Sequence, residues 1–387
     1  MSINNFPDSI DSKQPNLSTN IFSLMGNLSD KHGAFNLAQG YPDFEPPPEL
    51  TDRVRYYMRS GFNQYAPMPG VFSLRDAVCE KIMSLYGSRI DPDKEITATV
   101  GATQAIFTSI SVVIRPGDEV ILFTPAYESY VPNILWNGGI PVYAALDPPS
   151  YSVNWNHVQR LISARTRLIL INSPHNPTGS VLNEDDMIQL QKLTSDTEIM
   201  ILSDEVYEHI IFDGAEHQSL LRFPDLVKRS FVVFSFGKTF HTTGWKLGCC
   251  IAPEQLTKEF RKLHQHIVYS AITPVQCAFA DILKHERYYL DLGRFYQARR
   301  DRFLNLLQNS RFGLQPSAGA FFQLLDFREI SRESDFDFAV RLTRESGVAT
   351  IPLSAFNPYH KDGHALRICF AKNDEMLEKS AEILCRL

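Results

Sequence analysis

Residues 166–204 read TRLILINSPHNPTGSVLNEDDMIQLQKLTSDTEIMILSD, and their pattern decides the fold. Two apolar runs, RLILINS and EIMILSD, flank a segment of helical character. Each run gives way to a polar turn, PHNPTG after the first and EVYE after the second. A short continuous apolar run suits a strand covered on both faces, and strands that alternate with helices build a largely parallel sheet. The pattern extends both ways. EITATV, DEVILFT and IPVYAAL precede the quoted stretch, SFVVFSF and LGCCIA follow it, and the runs predict an α/β fold with a mostly parallel seven-stranded sheet between about residues 95 and 252. Residues 255–309 read as long helices. Residues 312–387 return to a mixed pattern of strand, helix, strand and helix. The expected organisation is a large domain over 46–288 and a smaller α+β domain over 289–387, to which residues 1–45 add an N-terminal arm and one further part.

A chain of 387 residues has room for two or three domains at roughly 100–200 residues each, and needs no disulfide or metal to hold its core. With 44 acidic and 38 basic residues the net charge is −6, so no basic surplus exists to neutralise phosphates and nucleic acid is not an expected partner. None of the six cysteines forms a C-x-x-C pair, which removes support for a zinc knuckle or redox pair and leaves reduced, buried thiols as the expectation. The polar start, MSINNFPDSIDSKQPNLS, lacks the features of a secretory signal, and no run of about 18 apolar residues predicts a membrane span. Cytoplasm is the expected location.

In an open α/β sheet, ligands bind beyond the carboxyl ends of the strands. Three such ends carry unusual polar sequence: PHNPTG, EVYE and GKTFHTTGWK. Lys238 follows the run FVVFSF. A lysine there can simply reach solvent, but one lodged in a cleft has its pKa lowered and can form a Schiff base with an aldehyde. Ser235 and Lys246 flank it, and a hydroxyl with a second cation suggests a phosphate-bearing aldehyde. Asp204 ends another apolar run and needs a partner, since an unpaired buried charge is costly. It either caps a following helix or meets a protonated pyridine nitrogen, with Tyr207 close enough in sequence to bond that ring's phenolic oxygen. Asn176 lies among turn formers and offers an amide to the cofactor oxygen or to a substrate carboxylate. Gly101-Ala102-Thr103 opens a helix whose free N–H groups suit a phosphate. Tyr127 either stacks on a flat ring or fills core.

Together these motifs resemble the fold-type I, class I pyridoxal-phosphate-dependent aminotransferases, nearest to the branch of methionine, kynurenine and glutamine aminotransferases. SPHNPTG, SDEVYE and SFGKTFHTTGWKLG stand in the family order, with 28 residues from Asn176 to Asp204 and 34 from Asp204 to Lys238. The resemblance runs from IFSLM near residue 21 to LRICFAK near residue 371 and implies the cofactor pyridoxal 5′-phosphate. It makes Lys238 the Schiff-base lysine and Asp204 the partner of the pyridinium. Asn176 and Tyr207 would bond the ring oxygen, Tyr127 would stack on the ring, and Ala102, Thr103, Ser235 and Lys246 would hold the phosphate. Tyr65 would reach the phosphate of a neighbouring subunit, which implies a homodimer. Arg367 would fork onto the substrate α-carboxylate and Gly40 would offer it a backbone N–H. Lys246 departs from the arginine of many class I relatives, keeping the charge and losing the fork.

The implied reaction is ping-pong transfer of an amino group from an amino acid to a 2-oxo acid, with Lys238 as general acid–base and Asp204 acting through the ring. Around the substrate side chain the resemblance places IFSLM, QGYPDF, TPAYESY and HIVYSAIT, which offer Phe22, Tyr41, Tyr127 and Tyr269 and no arginine or lysine. An apolar, aromatic wall suits methionine first, then aromatic amino acids, histidine, kynurenine or glutamine, ahead of aspartate. His266 receives no place in this reading. β-Elimination from cysteine S-conjugates at the same site is an alternative activity. A non-catalytic cofactor-binding regulator is a second alternative, opposed by the intact Lys238 and by the short segment before the shared region. A nicotinamide dehydrogenase would need a G-x-G-x-x-G turn, and the sequence has none.

Overall fold

Every one of the seven apolar runs becomes a strand of one sheet. The computed structural model describes residue 14, residues 20–358 and residues 361–387, so the start of the N-terminal arm expected within residues 1–45 lies outside the described residues up to residue 19, except for Gln14. In chain order the strands are β1 (Phe35–Asn36), β2 (Ile96–Thr99), β3 (Glu119–Thr124), β4 (Ile140–Ala145), β5 (Thr166–Asn172), β6 (Met200–Asp204), β7 (Ser230–Ser235) and β8 (Gly248–Ile251). They are followed by β9 (Gly313–Leu314), β10 (Phe322–Asp326), β11 (Val348–Ala349), β12 (Ile351–Pro352) and β13 (Ala365–Cys369). The large sheet runs β2-β8-β7-β6-β5-β3-β4. All its neighbours are parallel except at β8, which is antiparallel to both β2 and β7.

Alternate side chains of a strand leave opposite faces of the sheet. Ile169, Ile171, Ile201, Val232 and Phe234 enter one core, with the helices Pro48–Arg59, Phe72–Tyr86 and Thr273–Ile282. Leu168, Leu170, Leu202, Phe231 and Val233 enter the other, with Gly101–Val113, Tyr130–Trp136 and Glu254–Ile267. Burial on both sides is why each run is continuously apolar. Truncating one such residue, Leu202→Ala for instance, costs about 2–5 kcal/mol.

The chain ends build the third core. Met25 and Leu37 pack there with Tyr296, Phe303, Phe338, Ile368 and Leu377. Its four-stranded sheet runs β12-β13-β10-β9 and is antiparallel throughout. The helix Ile21–His32 joins this core. The Asn20 side chain caps its start, and Gly33, at φ 62°, closes it with a left-handed turn that a β-carbon would strain. Among the described residues no helix is long and apolar enough to cross a membrane.

Candidate active site

Parallel register aligns the carboxyl ends of the central strands. Asn172, the last residue of β5, sits beside Asp204, the last of β6, and Asp204 sits beside Val233, two residues before the end of β7. Beyond these ends lies a cavity of about 320 Å³. Of the residues proposed from sequence, Phe22, Gly40, Ala102, Thr103, Tyr127, Asn176, Asp204, Tyr207, Ser235, Lys238, Lys246 and Arg367 all face it. Tyr65 does not. It is 83% exposed and meets Tyr269 edge-on at 5.4 Å, so Tyr269 also stands outside the cavity rather than beside Phe22 and Tyr41. His266, near the end of the helix Glu254–Ile267, is exposed and does not line the cavity.

Asp204 is buried. Its Oδ2 accepts from the Tyr130 hydroxyl at 2.6 Å and its Oδ1 from Val206 N at 3.3 Å. No cation pairs with it among the described residues, and burial lifts the carboxyl to about 6 against the pull of those two donors. A turn rather than a helix follows it, so it caps nothing. Tyr130 was not identified from sequence, though it lies three residues beyond Tyr127 in TPAYESY and one helical turn is enough to bring it under that ring.

The same short segment faces two ways. Asp204 and Tyr207 look into the cavity, while Glu205 and Glu208 look into the protein beneath it. Glu205 accepts from Ser203 Oγ at 2.8 Å and Leu220 N at 3.0 Å, and meets His217 Nε2 at 2.8 Å. Glu208 pairs with the buried Lys81 and accepts from the Tyr86 hydroxyl at 2.6 Å. Burial works to raise the Glu208 carboxyl, but Lys81 and His209 hold it well below the usual range.

Lys238 lies on the single turn Phe236–Thr239 that follows β7. Its Nζ donates to the Gly40 carbonyl at 2.8 Å and lies 5.7 Å from the Tyr207 ring centre. Burial lowers its ammonium to about 8. Gly40 therefore presents its carbonyl to the lysine, and a β-carbon there would come within 3.1 Å of the Phe322 ring.

The end of the cavity suited to phosphate is set by a close approach of backbones. Gly248 pairs with Thr99 on one side and Ser235 on the other. A β-carbon on it would lie 2.5 Å from the Phe234 carbonyl oxygen and 3.2 Å from Ala102 N. Its bare backbone lets the helix Gly101–Val113 start directly over the sheet with its first N–H groups free. Lys246 Nζ comes to 3.5 Å from Thr103 Oγ1 at the same end.

Arg367 occupies β13 between Leu324 and Ile351 and is fully buried. Nη1 donates to Asn176 Oδ1 at 3.0 Å and Nη2 to the Ala38 carbonyl at 2.6 Å. Phe322, Phe22 and Phe356 surround the guanidinium at 4.2, 4.9 and 5.1 Å. Nε has no partner and no carboxylate pairs with the group among the described residues. Burial lowers it to about 10. A buried cation with an idle donor at a cavity wall is built to receive an anion.

The arrangement also fits pyridoxal phosphate by its own chemistry. A buried carboxylate lacks a cation, a helix start with Ser235, Thr103 and Lys246 lacks an anion, and a lysine of lowered pKa stands between them.

Residues 33–384 match the model of the family described as aminotransferase class I and II. The chain is 45% identical to the methionine aminotransferase of Escherichia coli over 97% of its length and 98% of the relative's. It is 33% identical to the kynurenine–oxoglutarate transaminase of Dictyostelium discoideum over 93% of this chain and 92% of that one. The crystal structure of an Escherichia coli protein with methionine aminotransferase function superposes with a TM-score of 0.95 at 44% identity, covering 98% of this chain and 100% of the other.

Proposed function

The chain belongs to the class I and II aminotransferase family, and from that premise we propose that it moves the amino group of a large uncharged amino acid, methionine first, to a 2-oxo acid. The observation that carries the reading is the meeting of three charged groups, the part-buried Lys238 and the buried Asp204 and Arg367, none in an ion pair among the described residues, around one cavity. Each has a vacancy that one part of the reacting assembly fills.

The family is pyridoxal-phosphate-dependent. Asp204, steadied by Tyr130, would hold the ring nitrogen protonated. Asn176 and Tyr207 would hold the phenolic oxygen, and Tyr127 would cover the ring face. Ser235, Thr103, Lys246 and the N–H of Ala102 would hold the phosphate. When bound, the cofactor supplies an electron-withdrawing ring that accommodates the charge left when the substrate's α-proton departs.

The protein's own residues do the rest. Arg367 orients the donor by its α-carboxylate, using Nε and the second hydrogens of Nη1 and Nη2. Lys238 Nζ, at about 8, is a base in a useful fraction near neutral pH and would take the substrate's α-proton. Phe22, Tyr41 and Tyr127 leave an aromatic wall for the donor side chain, and a thioether against such rings gains about 0.3–1.5 kcal/mol per contact.

The working unit in this reading is a homodimer. Tyr65 and Tyr269 are exposed as a pair on one chain, and Phe62 and Ile272 are exposed as well, a surface suited to a second copy that carries Tyr65 toward the partner's phosphate. Sedimentation equilibrium should give twice the 44.0 kDa chain mass, and a stable active monomer would remove that part. Steady-state kinetics over a panel of donors tests the whole reading. A kcat/KM for aspartate above those for methionine and phenylalanine would overturn it.

A further inference from the structure

One charged group in the cavity wall has no part in the reaction described above. Glu128 lies in the turn after β3, next to Tyr127 and two residues before Tyr130, and faces the cavity together with Phe22 and Arg367. Its carboxylate accepts a hydrogen bond from Asn20 Nδ2. Asn20 Oδ1 is already committed to Phe22 N at 2.7 Å and Ser23 N at 3.3 Å, so the amide can offer Glu128 only its N–H side. Arg367 draws the Glu128 carboxyl down and Glu128 draws the guanidinium up, yet no ion pair joins them among the described residues.

We propose that Glu128 is a specificity-determining residue of this site: its carboxylate rejects amino donors and 2-oxo-acid acceptors whose side chain carries a second negative charge. The inference rests on the aminotransferase reading, with Arg367 on the α-carboxylate.

The inventory of charge leads there. Among the described residues lining the cavity, the cations are Lys238, Lys246 and Arg367, and the anions are Asp204 and Glu128. The cofactor and the α-carboxylate take all three cations, and the ring nitrogen takes Asp204. A bound side chain is left with aromatic rings, the Asn20 and Gln39 amides and one carboxylate. The thioether of methionine has no charge to be repelled. The second carboxylate of glutamate or 2-oxoglutarate meets a like charge and finds no cation. For like charges about 8 Å apart at an effective dielectric of about 20, the repulsion is roughly thirtyfold in an equilibrium, and water at the half-buried carboxylate reduces it to about tenfold.

The test uses the holoenzyme at about pH 8.5, above the value of about 7 to which burial lifts Glu128. Glu128→Gln keeps an oxygen for Asn20 and removes the charge, whereas Glu128→Asp keeps the charge. The ratio of kcat/KM for glutamate to that for methionine should rise about tenfold in the glutamine variant and stay within about twofold of the parent in the aspartate variant. Calorimetric affinities for two unreactive ligands, glutarate and 4-(methylthio)butanoate, should move in the same proportion. Unchanged ratios in Glu128→Gln overturn the proposal, as does a rise in Glu128→Ala that the glutamine variant lacks, which would mean room rather than charge. A parent protein that transfers no amino group from any donor defeats the aminotransferase reading instead, and the two unreactive ligands then still decide the role of Glu128.

Discussion

Arg367→Met should separate stability from activity. Burial lowers the guanidinium from 12.5 to about 10. At roughly 1.4 kcal/mol per pH unit, carrying that charge costs the fold on the order of 3 kcal/mol relative to the unfolded chain. A group whose folded pKa is depressed in this way, being a base, opposes folding at every pH below about 10. Methionine removes the charge, and its side chain can lie in the space between Phe22, Phe322 and Phe356. Leaving the Ala38 carbonyl and Asn176 Oδ1 without a donor costs about 1–3 kcal/mol for each. The opposing contributions largely offset, so stability should fall by no more than about 3 kcal/mol, a melting shift of at most about 4 °C. Activity should not be spared. Two charge-assisted bonds to the substrate carboxylate, at about 1.5–3 kcal/mol each, correspond to a fall of about 10²–10⁴ in kcat/KM for methionine. Differential scanning fluorimetry at one scan rate and steady-state kinetics on the same preparation measure both. A melting point lowered by 10 °C or more, or activity lost by less than about tenfold, would refute the view of Arg367 as a strained receptor for an anion.

The purified protein should be yellow, and borohydride should bleach it and fix the chromophore to the peptide containing Lys238; a label on Lys246 would contradict the assignment. Asp204→Ala should keep some cofactor and lose at least about a hundredfold in kcat, with Asp204→Glu retaining more. Parent-level turnover in the alanine variant would remove Asp204 from the chemistry. In cofactor-free protein the Asp204 carboxyl, raised from 3.8 to about 6, favours folding below about pH 4, and that contribution of about 3 kcal/mol is lost as pH rises through 6. Urea denaturation should show the loss continuing to higher pH in Tyr130→Phe and missing from Asp204→Asn; identical profiles in parent and asparagine variant would rule it out.

The large sheet was legible because its strands are covered on both faces and so carry no polar alternation. The reversed direction of β8 was not, since LGCCIA reads the same whichever way it runs. The motif residues Asn176, Asp204 and Lys238 were legible because each stands at a strand end, where register alone brings them together. Arg367 reached the same cavity from a different sheet, and only the family resemblance linked LRICFAK to it. Two-residue strands such as β1 and β11 are too short for any period. Tyr130 and Glu128 were passed over because TPAYESY was read as a support for Tyr127 alone, and the partner of Glu128, Asn20, is 108 residues away. Tyr269 lies outside this chain's own cavity, beside Tyr65 and with φ positive at 64°, a placement that the sequence pattern of its segment does not reveal.

The segment from Asp204 to Glu208 holds two sets of anchors that face apart, one toward the cavity and one toward Lys81, Tyr86 and His217. A slip of one residue would drive Glu205 into the place of Asp204 and strand Lys81 without its counter-ion. The deep pair thus keys the frame in which the shallow pair can appear, and insertions or deletions in this stretch are barred twice over. It follows that lesions at Lys81, a residue that touches nothing in the cavity, belong with active-site lesions when natural variation in this chain is interpreted.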